Sequence, residues 1–272
     1  MVVFPNAKIN IGLNILRQRS DGYHDLETIF YPIGLKDALE FVENNTNEVN
    51  LTCSGISMDV EPEKNIVLKA YRLLSSSVTL PGLDIHLHKA IPYGAGLGGG
   101  SSDAAFLLKS LNEHFELKLS KEKLKSNALV LGADCSFFIE NKPALATGIG
   151  EILKSIEVNL KGYTILLIKP PFGVVTKDAY AKIEPAVPQH SLNDSVREKP
   201  ENWMGKINND FEEPVFHLYP EISNIKKALL DKGAIYASMS GSGSSVFGLF
   251  KTEPDIELND IGEGCFVWKE LL

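Results

Sequence analysis

The chain has 272 residues, 44% of them hydrophobic and 23% charged. That is the make-up of a soluble globular protein able to close a core, in one large domain or two modest ones. Its 35 acidic and 27 basic residues leave a formal charge of −8, so no general positive field exists to hold a nucleic acid or an anionic membrane, and an anionic ligand needs local donors.

The first eight residues lack a basic region followed by an apolar stretch, and no apolar run nears the roughly 18 residues of a membrane span. Cys53, Cys135 and Cys265 stand far apart with no C-x-x-C pair, which fits neither a disulfide framework nor a zinc site. A cytoplasmic protein is expected. Lys8 to Ile15 alternates, with Ile9, Ile11, Leu13 and Ile15 on one side and Lys8, Asn10, Gly12 and Asn14 on the other, which predicts a half-buried strand with a polar face. Asp21-Gly22 marks a turn, and Leu26–Ile33, Ala38–Val42 and Val49–Cys53 read as short strands. Asn65 is placed to cap a helix through Leu74.

A further alternating strand, Leu83 to His88, runs into Gly94-Ala95-Gly96-Leu97-Gly98-Gly99-Gly100-Ser101-Ser102-Asp103, and an apolar helical pattern follows to Leu111. Ser120 caps a helix reaching Leu131, and Gly132-Ala133-Asp134 turns the chain into Phe137-Phe138-Ile139. The pattern weakens over Glu151 to Leu160. A strand over Tyr163 to Lys169 opens what is expected to be a second domain, with the halves divided as 1–157 and 158–272. Pro185 to Pro200 has no period and reads as a surface loop. Pro220 to Asp231 is a helix stopped by Gly233, followed by the turn Ser240-Gly241-Ser242-Gly243-Ser244-Ser245 and the strand Val246 to Phe250.

Five glycines in seven residues between a strand and a helix have a physical reading. Glycine takes positive φ cheaply, so successive backbone N–H groups can turn inward around an anion, and the following helix adds its unpaired N-terminal donors. The segment Pro92 to Ser102 is therefore the candidate polyphosphate loop, with Pro92, Tyr93, Gly94, Ala95, Gly96, Leu97, Gly98, Gly99, Gly100, Ser101 and Ser102 as its members. It is not a Walker loop, because Gly100 stands where the lysine should be. Gly94-x-Gly96-x-x-Gly99 does match the dinucleotide fingerprint, but no second strand with an acidic end follows within about 20 residues. Neither H-R-D nor D-F-G occurs, which excludes a protein kinase. His86 and His88 share a strand face but lack a third ligand at suitable spacing, so no protein-built metal site is expected.

Three stretches together resemble the GHMP kinases: Pro5-Asn6-Ala7-Lys8-Ile9-Asn10-Ile11-Gly12-Leu13, the segment 92–102, and Ser240-Gly241-Ser242-Gly243-Ser244. The triple glycine before the serines, Asp21-Gly22-Tyr23-His24 and Gly132-Ala133-Asp134 are similar to the branch that phosphorylates the tertiary 2-hydroxyl of a cytidine-diphosphate methylerythritol on the non-mevalonate route to isoprenoid precursors. The resemblance implies a two-domain α+β fold of GHMP-kinase type with its active site in the inter-domain cleft, ATP and Mg2+ as cofactors, and a monomer or weak homodimer. It implies Lys8 and Asp134 as the catalytic pair, the lysine keeping the carboxylate ionised and offsetting charge. It implies Asn10, Tyr23, His24, Phe30 and Tyr180 as substrate-binding residues, with Phe172 the alternative to Tyr180, and adenine-end contacts for Lys89 and Asn65. A pyrimidine stacks on aromatic faces, which suits Tyr23, His24 and Tyr180, whereas Phe30 taken alone reads equally as core. A homoserine- or mevalonate-type kinase, a dinucleotide-dependent oxidoreductase and a nucleotide-binding module without chemistry remain as alternatives. Cys135-Ser136 departs from the small apolar residue and proline that relatives often carry after the aspartate.

Overall fold

In chain order the elements are β1 (Val2–Val3), β2 (Asn6–Gln18), β3 (His24–Lys36), β4 (Ala38–Glu43), β5 (Val49–Gly55), α1 (Ile66–Ser75), β6 (Leu83–Lys89), α2 (Gly99–His114), α3 (Lys121–Leu131), α4 (Cys135–Glu140), β7 (Ala144–Gly148) and β8 (Ile152–Ser155). They continue with β9 (Thr164–Lys169), α5 (Thr176–Tyr180), α6 (Leu192–Ser195), α7 (Glu212–Leu218), α8 (Pro220–Asp231), β10 (Tyr236–Met239), β11 (Val246–Phe250) and β12 (Phe266–Leu271). This is a computed structural model, and it describes residues 1–57, 61–180, 182–255 and 262–272.

The chain forms two compact units, one of residues 1–8, 34–93 and 98–142, the other of residues 9–33, 94–97 and 143–272. The first holds a four-stranded sheet in the order β1-β4-β6-β5. Its β6 alternates strictly, burying Leu83, Ile85 and Leu87 and exposing Asp84, His86 and His88. The period of two that predicts this strand also decides its dry face. The exposed histidines hydrogen-bond to Thr52 and Ser54 on β5 at 2.9–3.0 Å. Asn65 caps α1 by accepting from Val67 N at 2.9 Å, and Ser120 caps α3 by accepting from Lys123 N at 3.2 Å; both helix starts fall where the sequence puts them.

The second unit contains the sheet β10-β11-β9-β12, and most of the sheet β2-β3-β7-β8. Val215 of α7 and Ile222, Ile225 and Leu229 of α8 pack with Leu166, Ile168, Ala237, Met239 and Val246 from the first of these sheets. Trp203 meets Tyr236 edge-on and Tyr236 meets Phe247 at a tilt, with ring centroids 5.4 and 5.9 Å apart. Burial lifts the Tyr236 hydroxyl well above the usual tyrosine range.

Two expectations are corrected. β2 is buried on both sides, since Lys8, Asn10 and Asn14 are 3, 2 and 8% exposed, so its polar face is covered and bonded rather than solvated. The stretch Pro185 to Pro200 is also not wholly a surface loop. Ser191 caps α6 by accepting from Asp194 N, and Leu192 and Val196 are each 2% exposed. A methyl group on Gly12 would come within 2.7 Å of Leu192 Cδ1, so the missing side chain on β2 makes room for an apolar residue that the polar stretch conceals.

Candidate active site

In the first unit β2 delivers Lys8 and the turn after α3 delivers Asp134. Their Nζ and Oδ2 atoms are 3.3 Å apart, with the lysine side chain 4% and the aspartate side chain 35% exposed. The ammonium is enclosed while the carboxylate keeps an open edge. The second half of the glycine loop lies against this pair. Gly98 adopts φ +69 and a methyl there would come within 3.1 Å of both Lys8 Cε and the Phe138 ring, so a side chain would be strained in its backbone and would have to push both neighbours aside. Gly98 is also the N-cap of α2, and its carbonyl accepts from Ser102 N at 2.9 Å. The N–H groups of Gly99, Gly100 and Ser101 therefore occupy the first turn, where a helix has no acceptors of its own and its dipole is positive.

Two hydroxyls follow. Ser101 lies beside Cys135, whose thiol is pushed up to about 11 chiefly by burial. Ser102 is fully buried and its Oγ has no hydrogen-bond partner among the described residues. An orphaned buried hydroxyl costs about 1–3 kcal/mol, a cost that a phosphate oxygen or a hard cation would relieve.

Beneath α2 lies a buried charge cluster that sequence reasoning missed. Lys89 Nζ donates to Asp103 Oδ2 at 2.7 Å and to Asp37 Oδ2, and all three side chains are at most 2% exposed. Lys89, for which the resemblance implies an adenine-end contact, is thus enclosed with both carboxylates. Asp37 Oδ1 also accepts from Ala90 N and Ile91 N at 2.6 and 2.8 Å, fixing the chain just before Pro92. Burial raises the Asp103 carboxyl well above its usual range; Lys89 opposes this and Asp37 adds to it. Burial alone would lower the Lys89 ammonium, but Asp103 and Asp37 outweigh it and raise it. One ammonium faces two enclosed carboxylates, so it offsets the burial of Asp103 only in part.

In the second unit the first half of the loop meets the serine-glycine turn. Ser240 Oγ donates to Gly96 O at 2.9 Å and accepts from Asn10 N at 3.2 Å, and Ser245 N donates to Ala95 O at 3.3 Å. Asn10 Nδ2 donates to Thr28 Oγ1 at 2.9 Å, and that hydroxyl donates to Gly12 O at 2.5 Å. All three motif stretches thus contribute residues to one bonded cluster. Asn10 lies inside it at 2% exposure.

The same unit carries the aromatic candidates. Arg19 N donates to Tyr23 O at 2.8 Å across a turn with Gly22 at φ +87. The Arg19 guanidinium binds Asp21 and Asp25 at 2.9 and 3.2 Å, holding the Asp21 carboxyl below its usual range. Tyr23 stands out at 62% exposure. His24 stacks on Tyr180 with centroids 4.9 Å apart and planes at 21°, and Tyr180 meets Phe211 edge-on at 4.8 Å. Phe172 instead stacks on Tyr219. Phe30 is 2% exposed on β3, beside Ala144 of β7, in keeping with its reading as a core residue.

Residues 65–141 match the family model for the GHMP kinases N terminal domain, and residues 192–258 match that for the GHMP kinases C terminal domain. The chain is 55% identical over 269 residues to a 4-diphosphocytidyl-2-C-methyl-D-erythritol kinase of Bacteroides fragilis, covering 98% of each chain. It is 42% identical to the kinase of the same name from Porphyromonas gingivalis, covering 100% of each. A crystal structure of a 4-(cytidine 5'-diphospho)-2C-methyl-D-erythritol kinase superposes with a TM-score of 0.78 at 31% identity, covering 92% of this chain and 90% of that one. The mevalonate kinase of Methanococcus jannaschii gives 0.70 at 16% identity, covering 99% of this chain and 97% of that one, a likeness of fold alone.

Proposed function

The chain belongs to the GHMP kinase family, and on that premise we propose that it moves the γ-phosphoryl group of ATP to the 2-hydroxyl of 4-diphosphocytidyl-2-C-methyl-D-erythritol, releasing ADP and the 2-phosphate on the non-mevalonate route to isoprenoid precursors. The observation that carries the mechanism is the Lys8–Asp134 pair at 3.3 Å with Gly98 packed against the lysine.

Phosphoryl transfer through a loose transition state asks for alignment and charge neutralisation rather than covalent catalysis. The first-turn N–H groups of α2 bind the polyphosphate. Asp134 orients the acceptor hydroxyl, its oxygen bonds to the γ-phosphorus as the bridge to the β-phosphate breaks, and the displaced proton passes to the carboxylate. Lys8 offsets negative charge beside that oxygen. Magnesium bound with ATP would neutralise the β- and γ-oxygens, and the orphaned Ser102 hydroxyl fits as its one protein contact or as a phosphate donor.

The cytidine end belongs to Tyr23, His24 and Tyr180, since an exposed ring beside a stacked pair suits a flat base and a small aliphatic acceptor needs none. Asn10 serves by tying β2 to Thr28 and Ser240 two residues beyond Lys8. In chain terms the domains divide near residue 157, and the matched stretches 65–141 and 192–258 lie on either side of it. The chain works in the cytoplasm as a monomer or weak homodimer; among the described residues no helix is long and apolar enough to cross a membrane.

An ADP-release assay across a panel of acceptors tests the reading. Turnover is expected with the cytidine-diphosphate methylerythritol and at least 100-fold less with mevalonate or homoserine; a preference for either of the latter overturns it.

A further inference from the structure

Residues 208–212 belong to none of the three motif stretches, yet they bind two of them. On one side Leu13 N donates to Asn208 O at 2.9 Å, Asp210 N donates to Leu13 O at 2.8 Å, and Ile15 N donates to Asp210 Oδ2 at 2.7 Å. The segment thus runs beside β2 as a short parallel addition. On the other side the Asn209 amide reaches the end of β10. Its Nδ2 donates to Met239 O and to Gly241 O, both at 2.8 Å, and its Oδ1 accepts from Phe211 N at 3.0 Å.

The two carbonyls that Asn209 holds belong to the residues on either side of Ser240. Ser240 is fully buried, and its hydroxyl makes the bonds to Gly96 O and Asn10 N described above. Contact there leaves no slack, because a methyl on Gly96 would lie 2.0 Å from Ser240 O. A shift of the Ser240 backbone therefore moves the Gly96 peptide. Only a primary amide of this length offers two diverging N–H donors for carbonyls two residues apart while accepting a third bond. An aspartate of the same shape keeps the acceptor and loses both donors.

We infer that Asn209 is a positioning residue for the phosphate loop, acting through Ser240 to fix the Gly94–Leu97 half against Asn10. The inference rests on reading the glycine loop as the ATP site. It does not follow from fold stability, for which the Asp210–Ile15 bond of the same segment serves equally well.

Asn209→Asp in the full-length chain tests it, with KM for ATP, kcat and the thermal midpoint measured together. KM for ATP is expected to rise at least about tenfold, the usual cost of losing one backbone donor to a charged phosphate. Asn209→Ser, uncharged but too short to hold both carbonyls, should fall between wild type and Asp, and it carries the test if the Asp variant does not fold. Asp210→Ala should lower the thermal midpoint while leaving KM for ATP within twofold. In a Ser240→Ala background the further effect of Asn209→Ser on KM should shrink to less than twofold, since the path runs through that hydroxyl. The inference is overturned if folded Asn209 variants keep KM for ATP within twofold, if Asp210→Ala raises it equally, or if the Asn209 and Ser240 effects simply multiply. Failure of the wild-type chain to bind ATP in calorimetry would sink the glycine-loop reading and the inference with it, whereas normal wild-type binding beside unaltered variants sinks the inference alone.

Discussion

Lys8 Nζ and Asp134 Oδ2 stand 3.3 Å apart, and the two side chains differ sharply in exposure, 4% against 35%. The enclosed partner is the cation and the open one the carboxylate, an arrangement that leaves an acceptor hydroxyl a way to Asp134 and keeps Lys8 as a fixed charge behind it. Asp134→Asn keeps shape and hydrogen bonding but cannot take a proton. It is expected to lower kcat by about 10² to 10⁴-fold with KM for ATP within threefold. Single-turnover phosphoryl transfer is the check, and an Asn variant within fivefold of wild type would remove Asp134 from the chemistry.

The aromatic candidates separate one substrate from the other. Tyr23 is exposed and His24 is stacked on Tyr180, so Tyr23→Ala with His24→Ala removes ring surface without opening the core. Stacking one base on aromatic rings is worth about 1–3 kcal/mol, so KM for the cytidine acceptor should rise roughly 10- to 100-fold while KM for ATP stays put. Equal losses for both substrates would show that the rings serve the fold rather than the base.

How much of this was legible follows from how local each signal is. Asn65, Ser120, Gly22 and the glycine loop announce themselves because capping and positive φ depend on neighbours in sequence. The Asp37–Lys89–Asp103 cluster did not, since charged residues are mostly at the surface and nothing local marks three of them as buried together. Pairing Lys8 with Asp134 needed the resemblance, because each alone reads as a strand lysine and a helix-end aspartate. Asn209 left no trace in any pattern; its role lies in two carbonyls some thirty residues away. β10, buried at all four positions, shows no alternation to detect, and Leu192 was hidden in a polar stretch.

That buried cluster has a pH signature. In the unfolded chain Asp103 titrates near 3.8, the ordinary aspartate value, and in the folded chain burial raises it well above that, facing Asp37, Lys89 and, on β5, Cys53. Between those two values the native state binds more protons than the unfolded state. The contribution of Asp103 to stability is therefore complete below about pH 3.8 and is lost as pH rises toward the folded value. Asp103→Asn removes this dependence, so the difference in urea midpoint, variant minus wild type, should grow from pH 4 to pH 8. A constant difference across that range would mean that Asp103 is ionised in the fold.

Two glycines of the loop separate conformational strain from contact. Gly94 and Gly96 both have positive φ, +62 and +75, but a methyl on Gly94 meets nothing within 4 Å, whereas one on Gly96 would lie 2.0 Å from Ser240 O and 3.2 Å from Gly243 O. Gly94→Ala therefore bears only the left-handed backbone cost, about 1–2 kcal/mol, and should keep measurable ATP binding with a modestly lower thermal midpoint. Gly96→Ala bears that cost and must also drive the Ser240 turn away, breaking the Ser240–Gly96 bond and loosening its grip on Asn10 N. It is expected to lose ATP binding by at least 100-fold or to fail to fold. Thermal unfolding and calorimetric ATP titration of the pair decide the point: if the two alanine variants behave alike, the turn at Ser240 is not what holds the loop in place.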